Sequence, residues 1–351
     1  MPQHDNPIGS CGGCFWNWPR KKSIVIKGLI AVFLAVGLYL YATKSTSADQ
    51  FTSYPRPEET GTDLWNFHGH DEHVVVPRSV MRSVSTTAWL GGYFTRFTGI
   101  KSMNRPLPIT GLKGSTFGNC TSVKSVKIPN SIYHIGDQGF MGCTSLESIT
   151  LPRHISFIQP FTFSGCRSLK SITIPESVTE IGDDAFHGCV GLTSATIPKS
   201  VHTLGSGAFG NTSLSSVIIP EGITIITGFS NCKKLHSVTL PRSSKEIGSS
   251  AFADCIAMKS LTLPEGIVKI DNSAFYRCRN LSTIVLPHSL KEIGIHAFES
   301  SGIESIVIPE SVETIDAYAF AYCQNLKSVI MKNPATKIDP NAFLSCKNLK
   351  F

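Results

Sequence analysis

The chain has 351 residues, 41% hydrophobic and only 16% charged, with a formal net charge of +7. This balance excludes wholesale disorder, and without any run of five or more basic residues there is no footprint for nucleic acid. The length predicts about two domains, while eleven cysteines are too few to staple a chain of this size.

Residues 1–23 read as a cytoplasmic tail carrying Cys11 and Cys14, with Trp16 and Trp18 just behind. Cysteines beside a membrane helix on that side are palmitoylation candidates. A Cys-x-x-Cys pair also fits a redox motif or half of a zinc site, but no second pair or βαβ pattern accompanies it.

Residues 24–42 are apolar apart from Lys27, whose ammonium can snorkel to the headgroups. Nineteen residues at about 1.5 Å each reach roughly 28 Å, enough to cross the hydrocarbon core as a transmembrane helix. Arg20, Lys21 and Lys22 precede the run and Lys44 alone follows closely. The positive-inside rule therefore predicts a single-pass type II signal anchor, with everything after Thr43 extracellular or lumenal. A cleaved signal peptide, with small residues Thr46 and Ala48 near the cut, is the alternative and gives a secreted protein.

Residues 43–73 read as a stalk of Ser, Thr, Pro and acidic residues. His68, His70 and His73 close it, beside Asp71 and Glu72, and offer metal ligands only as an adventitious set without a rigid second shell. No metal or other cofactor is expected.

From Val74 to the end one pattern repeats. In residues 169–189 it runs L-K-S-I-T-I-P-E-S-V-T-E-I-G-D-D-A-F-H-G-C. Prolines recur 21 to 23 residues apart from Pro106 to Pro309, with Pro77 opening a degenerate first unit. Eleven phenylalanines follow the same rhythm, from Phe117 to Phe343. Residues 74–351 thus hold about twelve units of 23 residues. One such unit cannot bury its own apolar face, so the units must stack as a solenoid. The alternating Leu-x-x-Ile-x-Ile segment predicts a parallel β ladder, stopped by proline, which cannot donate to it. Val-x-x-Ile supplies a second inward face, the glycine of Ile-Gly a tight bend, and the Phe-to-Cys spacing a short helical turn. Nine cysteines stand three residues after a phenylalanine, which predicts small buried thiols packing the turn. Adjacent coils also bring them near enough for disulfides in an oxidising compartment.

These motifs resemble the BspA-like, or Treponema-type, leucine-rich repeat, over about four-fifths of the chain. The resemblance implies a curved leucine-rich-repeat solenoid, of the kind found in surface proteins used for adhesion and recognition. It carries no catalytic residues.

Gly205, Gly207 and Gly210 spell G-x-G-x-x-G, but the strand and long helix of a dinucleotide site are missing, and the glycines belong to the repeat turn. The histidines after residue 130 fall at different repeat offsets and do not converge. Binding is expected on exposed repeat positions. The slot after each Leu carries Lys124, Glu147, Lys170, His236, Lys259, Glu304 and Lys327, and the next slot is serine in nine units out of ten. A broad wettable face of this kind fits a protein or glycan ligand. Three sequons, at Asn119, Asn211 and Asn280, lie near the Phe-to-Leu turn.

The reading is a membrane-anchored extracellular recognition or adhesion protein without catalysis. A secreted or purely structural scaffold is the alternative, and a metal-binding or thiol enzyme the minor one. Leu349 begins a strand that Phe351 cuts short, so the last coil is expected to continue, fray or be covered.

Overall fold

The computed structural model describes residues 71–76 and 109–350 in full. By backbone pairing alone it adds residues 106–108 and the strands Leu38–Leu40, Phe51–Pro55, Thr62–Phe67, Ser79–Arg82, Thr87–Leu90 and Tyr93–Arg96. The tail with Cys11 and Cys14, and His68 and His70, lie outside these residues. So does most of the expected span 24–42. Its residues Leu38–Leu40 form a strand antiparallel to Ser79–Arg82. Among the described residues no helix is long and apolar enough to cross a membrane.

The repeats wind into a solenoid with two parallel ladders. The first has eleven rungs, from His73–Val75 through Ser171–Thr173 to Ser328–Met331. Equivalent residues pair in step, such as Ser171 with Ser194 and Ile172 with Ala195. In-step pairing follows from the period-two pattern, because a slip of one residue would turn the apolar positions out to water. Ile172 and Ile174 are buried while Thr173 between them is exposed. The second ladder has two-residue rungs such as Glu180–Ile181, with the isoleucine inward.

Between the ladders the phenylalanines form one continuous stack. Eleven rings from Phe117 to Phe343 lie with neighbouring centroids 4.8–5.8 Å apart and planes within 15° of parallel. This offset stacking is a favoured aromatic geometry, and ten of the rings are fully buried.

Two local details differ from the sequence expectation. The segment from Phe to Cys is a single i→i+3 turn rather than a helix. Cys143 N–H donates to Phe140 O and Met141 N–H to Gln138 O, while the intervening amides of Phe140 and Gly142 donate to Thr162 and Ser164 of the next coil. Left-handed residues two before and two after the phenylalanine, Gln138 (φ 59°) and Gly142 (φ 72°), stop the turn from propagating. The Ile-Gly glycines, in contrast, do not have positive φ. They serve close approach: a Cβ on Gly205 would stand 2.4 Å from the Asp183 nitrogen of the coil before.

The amino-terminal end also differs. His73–Val75 pairs directly with Ser125–Lys127, and Gly111–Leu112 with His134–Ile135. Residues 73–112 therefore make one coil with a long excursion between Pro77 and Pro106, instead of two units. Within the expected stalk, Phe51–Pro55 pairs with Thr62–Phe67, which joins Pro106–Leu112 in a sheet at the mouth of the solenoid. An end coil leaves ladder groups and apolar surface uncovered, and added strands close it.

Candidate binding surface

The thiol column comes first, since cysteine is the most reactive side chain in the repeat. Among the described cysteines eight are buried, and Cys346 on the last coil is half-buried. Cys166 Sγ donates to Phe140 O at 3.1 Å, Cys189 Sγ to Phe163 O at 3.1 Å, and Cys278 Sγ to Phe252 O at 3.0 Å. Each thiol thus ties its coil to the one before. Burial pushes the Cys278 and Cys323 thiols up to about 12 and raises Cys255 well above its ordinary value. Cys166 is raised by its cysteine neighbours Cys143 and Cys189 and by burial. Thiols held protonated are poor nucleophiles.

The two units without cysteine place Thr212 and Ser301 in that slot, each in contact with the next thiol, Cys232 or Cys323, at 3.3 Å. The slot therefore selects a small side chain with a proton to donate. Cys189→Ser is expected to stay within about 1 kcal/mol of the parent. Cys189→Leu is expected to cost about 1–3 kcal/mol by overpacking. Urea unfolding midpoints check both; equal losses would show that hydrogen bonding does not define the slot.

The charged column expected to bind is largely self-neutralised. Lys124 pairs with Glu72 at 2.8 Å, Lys170 with Glu147 at 2.7 Å and Lys327 with Glu304 at 3.1 Å. The Lys170 ammonium accordingly holds the Glu147 carboxyl below its usual range. His236 and Lys259 are exposed at mid-column. His73 lies on the first rung, bonded to Ser125 at 2.8 Å. Elsewhere His187 contacts Asp184 at 3.2 Å and His296 pairs with Glu299. Among the described residues no three His, Cys, Asp or Glu side chains converge as metal ligands.

Beside the charges, the serine column from Ser148 to Ser328 is exposed on the outer face of the first ladder. The outward position two residues on is threonine in most coils, from Thr150 to Thr262 with Ile218 a lone exception, and is apolar in three successive coils at Val285, Val307 and Ile330. These three are 73%, 47% and 51% exposed. They line an open groove of about 560 Å³ with Thr283, Ser305 and Ser328 alongside and His288, Glu310 and Lys332 at its rim. Only the change of side-chain class at that one slot signals the groove in the sequence.

One further column escaped the sequence reading. Over six successive coils the residue after the proline alternates in charge, Arg153, Glu176, Lys199, Glu221, Arg242, Glu265. Glu221 accepts from the N–H groups of Arg242 and Ser243, and Glu265 from that of His288, so these carboxylates cap the following coil. Of the sequons, Asn119 and Asn280 are exposed, whereas the half-buried Asn211 side chain accepts from the Asn231 amide at 3.1 Å.

A family model described as the BspA type leucine rich repeat region matches residues 110–228 and 227–350. A leucine-rich repeat protein from Bacteroides ovatus superposes with a TM-score of 0.65 at 24% identity, covering 87% of this chain and 70% of its own. The leucine rich repeat protein of T. pallidum gives a TM-score of 0.50 at 29% identity, covering 61% of this chain and 91% of its own. No curated protein matches the chain.

Proposed function

The chain belongs to the BspA-type leucine-rich repeat family, and from that premise we propose that it is a recognition or adhesion protein without catalysis, anchored by residues 24–42 with its repeats outside the cell. The groove over Val285, Val307 and Ile330 carries the reading. Exposed branched side chains in a row form an apolar patch of the kind that marks interaction sites. The occupant is a polypeptide. Branched apolar side chains of the partner fill the row, and its polar groups meet His288, Glu310 and Lys332 at the rim. The lining of the groove holds no Phe, Tyr or Trp on which a sugar ring would stack.

The strand pairing of Leu38–Leu40 favours a second reading, in which this segment belongs to the amino-terminal sheet and the protein is secreted. Two measurements on cells displaying the full chain separate these. Alkaline carbonate should leave the protein in the membrane pellet, and protease added outside should degrade the repeats while sparing an epitope before residue 20. Release by carbonate, or protected repeats, overturns the anchor. Binding of these cells to a cell layer should fall with Val307→Lys and when the layer is stripped by protease. Binding unchanged by both overturns the groove as a protein site.

A further inference from the structure

A second opening lies at the turn edge of the same coils, away from the groove, and has its own cause. The coil of Phe298 is one residue shorter between phenylalanine and the next ladder residue, Ile303, than the coil of Phe275, whose counterpart is Leu281. The shortened turn is drawn back against the preceding coil: Gly302 N–H donates to Cys278 O at 3.1 Å. A Cβ on Gly302 would stand 2.2 Å from Arg279 O, so only glycine permits the approach. At this turn stands a notch of about 380 Å³, lined by Arg279 of the preceding coil, Ser300, and Tyr322, Gln324 and Asn325 of the next.

The lining has a definite chemistry. Arg279 is exposed and has no carboxylate partner among the described residues. Its guanidinium offers a planar fork that matches a carboxylate. Tyr322 is 44% exposed, an aromatic surface for an apolar ring face. Gln324 Nε2 already donates to Ser345 O at 3.0 Å, which leaves its Oε1 to accept, while Asn325 brings an amide and Ser300 a hydroxyl that can meet donors and acceptors of a ligand. The other short coil, after Phe209, has Val190 where this one has Arg279 and Asn231 where it has Tyr322. The shortened turn recurs, while the arginine–tyrosine pair occurs at one coil alone.

We propose that this notch binds a carboxylate-bearing sugar, Arg279 holding the carboxylate and Tyr322 the apolar face of the pyranose. The volume lies at the low end of the ~300–1,000 Å³ of small-molecule sites, which suits a terminal sugar.

The test uses the full chain in detergent, produced in a bacterial host so that Asn280 carries no glycan. Saturation-transfer NMR is run with glucuronic acid, N-acetylneuraminic acid, glucose and acetate. At least one acidic sugar should give a ring-proton signal that glucose and acetate do not. Titration should be about tenfold weaker for Arg279→Gln and for Tyr322→Ala, partly restored in Arg279→Lys, and unchanged in Arg242→Gln. Matching unfolding midpoints confirm that the variants fold. Silence from both acidic sugars, equal signals from glucose, or full binding by both Arg279→Gln and Tyr322→Ala overturns the proposal. The outcome is independent of the groove, since Val307→Lys should leave sugar binding unchanged.

Discussion

Phe186→Ala is expected to lower stability by about 3–5 kcal/mol, the cost of truncating a large buried aromatic. The ring is fully buried, with Phe163 and Phe209 on either side at centroid distances of 5.2 and 5.1 Å. Its loss removes apolar burial, leaves a cavity and interrupts the stack in both directions. Because each coil contacts its neighbours alone, the damage should spread along the array from this point. Hydrogen exchange should therefore accelerate first at the amides of Phe163 and Phe186, which bond to Ala185 and Ala208. Lys170→Ala is the companion measurement. Its ammonium pairs with Glu147 at 2.7 Å, but the side chain is 72% exposed, so its loss should cost no more than about 0.5 kcal/mol. Equal midpoints in chemical unfolding would mean that the inner and outer faces of the coil are wrongly assigned.

Alkylation should separate the cysteines by orders of magnitude. With a thiol pKa of about 12 at Cys278, about one molecule in ten thousand is thiolate at pH 8, against about a quarter for a free thiol near pKa 8.5. Iodoacetamide should therefore modify native Cys278 about a thousandfold more slowly than the unfolded chain, and burial slows it further. Among the described cysteines, half-buried Cys346 should react first. Peptide mapping after timed quenching reads the order. Early labelling of Cys166, Cys255 and Cys278 together would show that the turns open far more readily than their packing implies.

Much of this architecture is legible in the chain because one pattern is written many times. A single Leu-x-x-Ile-x-Ile segment could be a strand in many folds. Repeated at a fixed interval, with Phe and Cys in step, it admits a stacked solenoid and little else. What could not be read is what the repeat leaves free. The pairing of Lys170 with Glu147 needs the lateral alignment of two coils. The groove at Val307 needs three outward positions to lose polarity together. The Arg279 notch depends on where a shortened turn moves, which spacing alone does not say. The first coil is ambiguous for a related reason: Pro77 and Pro106 both stand at the right offset, and the offset alone cannot tell two coils from one interrupted coil. Thr212 and Ser301 share the thiol slot through a proton to donate, a property that the spacing of cysteines does not display.

The in-step pairing of the first ladder makes the length of this molecule a heritable quantity. A gene segment of one repeat can be lost or duplicated without disturbing any neighbour, since each coil offers the next an equivalent strand, ring and small proton-donating side chain. From His73–Val75 to Ser305–Ile308 there are nine steps of about 4.8 Å, or roughly 43 Å of reach. Variants of this gene with more or fewer repeats would carry an unchanged groove at a different height above whatever holds the amino-terminal end. Unequal recombination would thereby tune standoff in increments of a single coil while leaving specificity alone.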